Sequence, residues 1–143
     1  MKIKKLNRIV LESRLDEFIK ILENELDEYW NQENFLKELN EKWNFSLFIE
    51  NDNKIVGYII ASKKSRNIHI HKFMVHRDLR SKGIGYKLLK EIENLCLKNG
   101  ESLISLKVYK KNTLALKFYL RSGFKIEEYS NDKLISMYKY LKK

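Results

Sequence analysis

His69, His71 and His76 are the only histidines in the chain, and they sit together in NIHIHKFMVH (67–76). His69 and His71 are two residues apart, so on a strand their side chains face the same way. A neutral imidazole accepts a proton near physiological pH, which suits the pair to general-base work. The same spacing also suits a plain packed or solvated strand face. A His-x-His metal site is a third use, but further Cys or His ligands are lacking and carboxylates would have to complete it.

A second group follows at once. The stretch RSKGIGYKLL (80–89) holds two of the five glycines, one residue apart, beside Arg80, Lys82 and Lys87. The first turn of a helix has N–H groups without helical partners, and its dipole favours negative charge. Glycine lets a ligand approach the main chain, and Arg binds phosphate in a fork. The N–H groups from Arg80 through Ser81, Lys82, Gly83, Ile84 and Gly85 to Tyr86 therefore suit a phosphate, best a pyrophosphate. A Walker loop is absent, and Leu88 stands where a dinucleotide fingerprint needs its third glycine. A tight turn with cations beside it is the other reading of the same residues.

These residues need elements to hold them. Strands are expected at 2–10, 43–50, 54–63, 66–76, 102–108, 124–129 and 134–141, and helices at 12–27, 32–42, 84–98 and 112–122. Asn112 reads as a helix cap and Gly123 as a helix stop. Three consecutive antiparallel strands lead into a helix and a buried strand, which predicts a mixed sheet with helices on both faces. No linker composition interrupts residues 1–143, so one domain is expected.

The chain is 143 residues long with a net charge of +10. Residues 1–50 carry 8 Lys/Arg against 11 Asp/Glu, whereas residues 51–143 carry 21 against 8. The basic part could attract a polyanion, either nucleic acid or a phosphate-bearing cofactor. No apolar run approaches the roughly 20 residues of a membrane span, and the N-terminus lacks the pattern of a signal peptide. The single cysteine, Cys96, excludes an internal disulfide and a multi-cysteine zinc site, and it falls on the apolar side of helix 84–98. A cytoplasmic protein is expected.

VHRDLRSKGIGYKLL (75–89) resembles the acyl-coenzyme A loop of the GNAT N-acetyltransferase superfamily. In KKNTLALKFYLRSGF, Asn112, Ala115, Tyr119 and Gly123-Phe124 resemble that family's second signature in order and spacing. The paired-histidine strand is especially similar to arylalkylamine N-acetyltransferases. The resemblance implies an α/β GNAT-like acyl-CoA N-acyltransferase fold, with a central mixed, mostly antiparallel sheet of six to seven strands and about four helices.

It also implies a function. Acetyl-CoA would be the acyl-donor substrate, with no metal, and a primary amine on a small molecule or protein would attack directly in a ternary complex. Strand 66–76 would splay from strand 102–108, and pantetheine would lie against Phe73, Met74 and Val75. Asn112 would reach the pantetheine amide, and Arg121 or Lys117 the 3′-phosphate. Tyr119 would be the general acid for the thiolate, His69 and His71 would pass the amine proton, and an N–H near Val75 would hold the oxyanion. Glu23–Glu28 with Tyr29 and Trp30 would border the acceptor. A monomer or homodimer fits this reading. A non-catalytic acyl-CoA sensor and a basic nucleic-acid-binding module are the alternatives, although no RNA-binding aromatic strand motif or helix-turn-helix stands out.

Overall fold

The computed structural model describes residues 1–23, 25, 29–129 and 131–142. Strands are β1 (Lys2–Lys5), β2 (Leu47–Asn51), β3 (Lys54–Lys64), β4 (Asn67–Val75), β5 (Leu103–Tyr109), β6 (Lys125–Tyr129) and β7 (Leu134–Tyr140). Helices are α1 (Arg8–Ser13), α2 (Leu15–Ile21), α3 (Gln32–Leu36), α4 (Lys42–Phe45), α5 (Ile84–Lys98) and α6 (Thr113–Arg121).

The N-terminal third differs most from the sequence expectation. The strand expected at 2–10 stops at Lys5, because the Asn7 side chain accepts from Val10 N–H and starts α1. The helix expected at 12–27 is two helices. Arg14 breaks it (φ −122°, ψ 21°) and reaches Glu17, Glu50 and the Asn53 carbonyl instead. Residues 24 and 26–28 of that expected helix lie outside the described residues. The helix expected at 32–42 ends at Leu36 after an Asn31–Asn34 capping box, and Trp43 sits in α4 rather than opening a strand.

The sheet order is β1-β2-β3-β4-β5-β7-β6. β4 and β5 run parallel, and the other pairings are antiparallel. One apolar cluster fills the face under α5 and α6, with Leu88, Leu89 and Ile92 of α5 against Ile68, Ile104 and Met137. Each such side chain contributes roughly 1.5–3 kcal/mol by leaving water. A second cluster on the other face holds Leu11, Phe18, Phe35, Tyr58 and Met74 under α1–α3.

Candidate functional site

The site starts from incomplete strand pairing. β4 and β5 are paired only at Ile68–Ile104, His69–Ser105 and Ile70–Leu106. Beyond them the strands part, and β4 keeps its β3 partner alone up to Val75. A cleft of about 920 Å³ opens between them, lined by Phe73, Val75, Leu106, Tyr109, Asn112 and Tyr119 among others.

The β4 main chain is available to that cleft. His76 N–H bonds the Val56 carbonyl at 2.7 Å. Hydrogen-bonded pairs alternate along an antiparallel ladder. Met74 therefore shares the β3-bonded parity, while the main-chain groups of Phe73 and Val75 turn toward the gap. Arg80 Nε already uses the Val75 carbonyl, at 3.2 Å.

A β-bulge explains which side chains reach which side. Ile60 pairs with Lys72 and Ala61 with Ile70, so His71 is the extra residue. A bulge shifts the alternation of the strand that carries it. Upstream, Ile68 and Ile70 join the α5 cluster; downstream, Phe73 and Val75 pack against that cluster and Met74 joins the opposite one. The His69 and His71 rings meet edge to face at 4.9 Å, as their spacing predicts.

The front of α5 is an open set of donors. The first helical bond runs from Lys87 N–H to Gly83 O at 3.0 Å. The N–H groups of residues 81–86 bond no protein group among the described residues. Gly83 sits at φ +82° and Ser81 at φ +65°, so the loop turns through left-handed backbone before the helix begins. A Cβ on Gly83 would meet open space, whereas one on Gly85 would lie 3.4 Å from Phe118 Cζ. Gly83 is thus required by backbone geometry, and Gly85 keeps the cleft floor low.

Arg80 is not a free phosphate fork here. Its Nη2 donates to Glu25 Oε1, and Arg77 Nε lies 3.9 Å from the same oxygen. Glu25, Tyr29 and Trp30 line the cleft as well. Asn34 and Asn31 cap the helix that follows them.

Tyr119 is 9% exposed, lines the cleft, and packs on Phe73, Phe118 and Phe124. Asn112 Oδ1 caps α6 by accepting from Ala115 N–H at 3.1 Å. Its amide Nδ2 is left to donate, so Asn112 suits a ligand carbonyl.

The histidines form a polar seam. His69 Nδ1 lies 2.7 Å from Ser105 Oγ, which also accepts from Asn67 Nδ2. His71 Nε2 lies 2.7 Å from Ser62 Oγ. Burial, with neighbouring positive charge, lowers both from 6.5 to about 4. Both are neutral at pH 7. His71 lines the cleft; His69 does not, and reaches it through its ring contact with His71.

The structure brings His71, Phe73, Met74, Val75, Arg80, Ser81, Gly83, Gly85, Tyr86, Asn112, Tyr119 and Arg121 to one cleft. Lys82 and Lys117 do not line it, and the Ile84 side chain is buried in the core. Of the acidic acceptor border, Asn24 and residues 26–28 lie outside the described residues. Lys107 and Tyr109 were not anticipated. Alternation in LISLKVY could have found them, since Ile104, Leu106 and Val108 are core and Lys107 must share the face of Ser105. Among the described residues, no group of three or more His, Cys, Asp and Glu could hold a metal. No described helix is long and apolar enough to cross a membrane. Cys96 is buried, and burial raises its thiol to about 12.

Comparison with known proteins agrees with this architecture. A family model described as acetyltransferase (GNAT) family matches residues 10–124. The chain is 39% identical over 77 residues to an uncharacterized N-acetyltransferase of Methanocaldococcus jannaschii, which covers 53% of this chain and 49% of that protein. It is 27% identical over 89 residues to a spermidine N(1)-acetyltransferase of Thermoplasma acidophilum, which covers 62% and 55%. The chain spans about half the length of these curated relatives. The crystal structure of Ard1 from Thermoplasma volcanium matches with a TM-score of 0.83 and 26% identity, over 99% of this chain and 98% of that one. The parted β4 and β5, the glycine loop ahead of α5 and a family match over most of its length together mean that this chain belongs to the acetyltransferase (GNAT) family.

Proposed function

We propose that the protein is an acetyl-CoA-dependent N-acetyltransferase that acts on a primary amine by direct attack in a ternary complex. The observation that carries this reading is a row of N–H groups, residues 81–86, that bond no protein group among the described residues, beside the gap between β4 and β5. These features fit the donor: a diphosphate needs clustered N–H groups, and an amide-bearing arm needs exposed strand edges. A cytoplasmic location goes with this reading.

Each residue then has a task. The 81–86 N–H groups hold the diphosphate, and Arg80 exchanges Glu25 for phosphate oxygen. Phe73 and Val75 main-chain groups and Asn112 Nδ2 align the pantetheine arm. The thioester supplies an electrophilic carbonyl and a thiolate leaving group. Val75 N–H stabilises the developing oxyanion. The amine nitrogen bonds the carbonyl carbon, and the carbon–sulfur bond breaks. Tyr119 gives its phenolic proton to the sulfur and regains one from solvent.

His71 takes a different role from a strong base. At about 4 it is too weak to hold the proton of an alkylammonium. As a neutral hydrogen-bonding group at the cleft wall, with the His69 ring against it, it orders water that carries the proton outward. Cys96 takes no part in an acyl-enzyme route, because its thiol is buried and protonated.

Calorimetry with acetyl-CoA, followed by thiol release on addition of an amine panel, tests the reading. Binding with amine-dependent release supports it. Binding without release from any amine favours a sensor, and no binding overturns it.

A further inference from the structure

Ser62 is a buried polar side chain with no task in the transfer chemistry. It follows Ile59, Ile60 and Ala61 in the apolar run of β3 and is 2% exposed. Its register partner on β4 is His69, yet its Oγ lies 2.7 Å from Nε2 of His71. His71 is the bulge residue of β4, and a bulge re-aims the side chain it carries. The two rings thus turn to different neighbours, His69 to β5 and His71 to β3.

The direction of the Ser62 bond follows from its hydrogens. A serine hydroxyl has one hydrogen to give, and a neutral imidazole has one N–H and one lone pair. Ser62 Oγ has His71 Nε2 as its sole partner among the described residues, and the side chain is all but closed to solvent. Were Nε2 to carry the proton, it would donate to Oγ and leave the hydroxyl hydrogen buried without an acceptor, which is costly. The hydroxyl therefore donates to Nε2, and the ring proton sits on Nδ1. Ser105 imposes no such choice on His69. It is half-exposed, accepts from Asn67, and can give its own hydrogen to water.

Nδ1 of His71 bonds no described protein group, and no buried side-chain nitrogen or oxygen lacks a partner among the described residues. Nδ1 is therefore open to solvent, on a residue that lines the cleft. Burial first, then the charges of Lys64, Lys42 and Lys37, keep this ring neutral.

We propose that Ser62 is a positioning residue that locks His71 in its Nδ1–H form, so that the ring offers the cleft a donor rather than a base. Its consequence for turnover rests on the acetyl-transfer reading above. A water that accepts from Nδ1–H keeps a lone pair for the proton of the ammonium and passes one of its own hydrogens to bulk water. The ring keeps its proton throughout. In the opposite tautomer the water would give a hydrogen to the ring, and the proton's route would end on a nitrogen too weak to hold it.

The test is nitrogen-edited NMR of histidine-labelled protein at neutral pH, with His71→Gln assigning the His71 signals. The wild type should show a protonated Nδ1 and an unprotonated Nε2. Ser62→Ala should move the proton to Nε2 or mix the two forms. It should also lower kcat by about tenfold, a part of the ~10²-fold that proton transfer contributes, with acetyl-CoA affinity from calorimetry retained. A proton on Nε2 in the wild type overturns the proposal. So does Ser62→Ala with the wild-type spectrum, or with a changed spectrum and wild-type kcat. Release from no amine overturns the acetyl-transfer reading instead, and the spectrum alone then decides whether Ser62 holds the Nδ1–H form.

Discussion

Glu25 accepts a hydrogen bond from Arg80, 55 residues away in sequence, and Arg80 Nε holds the Val75 carbonyl at 3.2 Å. One arginine thus ties Glu25 of the cleft wall to the glycine loop and to the β4 edge. A diphosphate at the loop must compete with Glu25 for this guanidinium. Partly exposed ion pairs contribute up to about 1 kcal/mol. Glu25→Gln should therefore tighten acetyl-CoA binding by about fivefold. Calorimetry checks this, and unchanged or weaker binding would mean that Arg80 never leaves Glu25.

The two loop glycines should respond differently. Gly83→Ala meets no atom but forces a Cβ onto φ +82°, so it should cost roughly 1–2 kcal/mol of stability. Gly85→Ala makes only ordinary contact with Phe118 and should be well tolerated. Gly85→Glu places a carboxylate in the cleft beside the diphosphate donors. It should abolish acetyl-CoA binding with little change in Tm. Thermal melts and calorimetry on the three variants separate backbone strain from lost binding.

Tyr119→Phe keeps the ring packing on Phe73 and Phe124 and removes only the hydroxyl. A lost proton donor costs roughly 10²-fold or more in kcat, and acetyl-CoA affinity should be unchanged. Wild-type turnover in this variant would return Tyr119 to a packing role.

What the sequence revealed was local chemistry. Gly83, Gly85 and Arg80 carry their meaning within a few residues, and Asn112 caps the helix it precedes. The features that escaped depend on distant partners. The bulge at His71 exists only in its register against Ile60 and Ala61 of β3. The helix break at Arg14 is held by Glu50 and Asn53, nearly forty residues on. The weakening of both histidines comes from burial, which no local pattern states.

Those histidines set a pH dependence. Their folded pKa of about 4 lies below the ordinary 6.5. Below pH 6.5 the unfolded chain takes up protons that the folded chain refuses. The contribution to stability is therefore fully present above 6.5 and drains as pH falls toward 4. A His69→Gln/His71→Gln double variant should show a smaller fall in Tm between pH 7 and 4.5 than the wild type. In kcat/KM, the acid limb these groups impose should lie near pH 4, so replacing them should lower turnover evenly from pH 6 to 8. A wild-type limb at 6.5 that vanished in the double variant would show instead that one histidine titrates normally and acts as the base.

The exit of α6 holds a last testable device. Lys139 of β7 donates to Glu93 of α5 at 2.9 Å and to the Ser122 carbonyl at 2.7 Å. Its Cε lies 3.2 Å from where a Cβ on Gly123, at φ +96°, would stand. One ammonium therefore joins α5, β7 and the end of the helix that carries Tyr119. Both side chains are mostly buried. Lys139→Met strands the Glu93 carboxylate and an orphan carbonyl together, so it should cost about 3–5 kcal/mol. Adding Glu93→Leu removes the stranded charge and should recover part of that loss. A double-mutant cycle by urea unfolding should give a coupling of about 2 kcal/mol. Strict additivity would mean that Lys139 acts through the Ser122 carbonyl alone, and that Glu93 is a bystander.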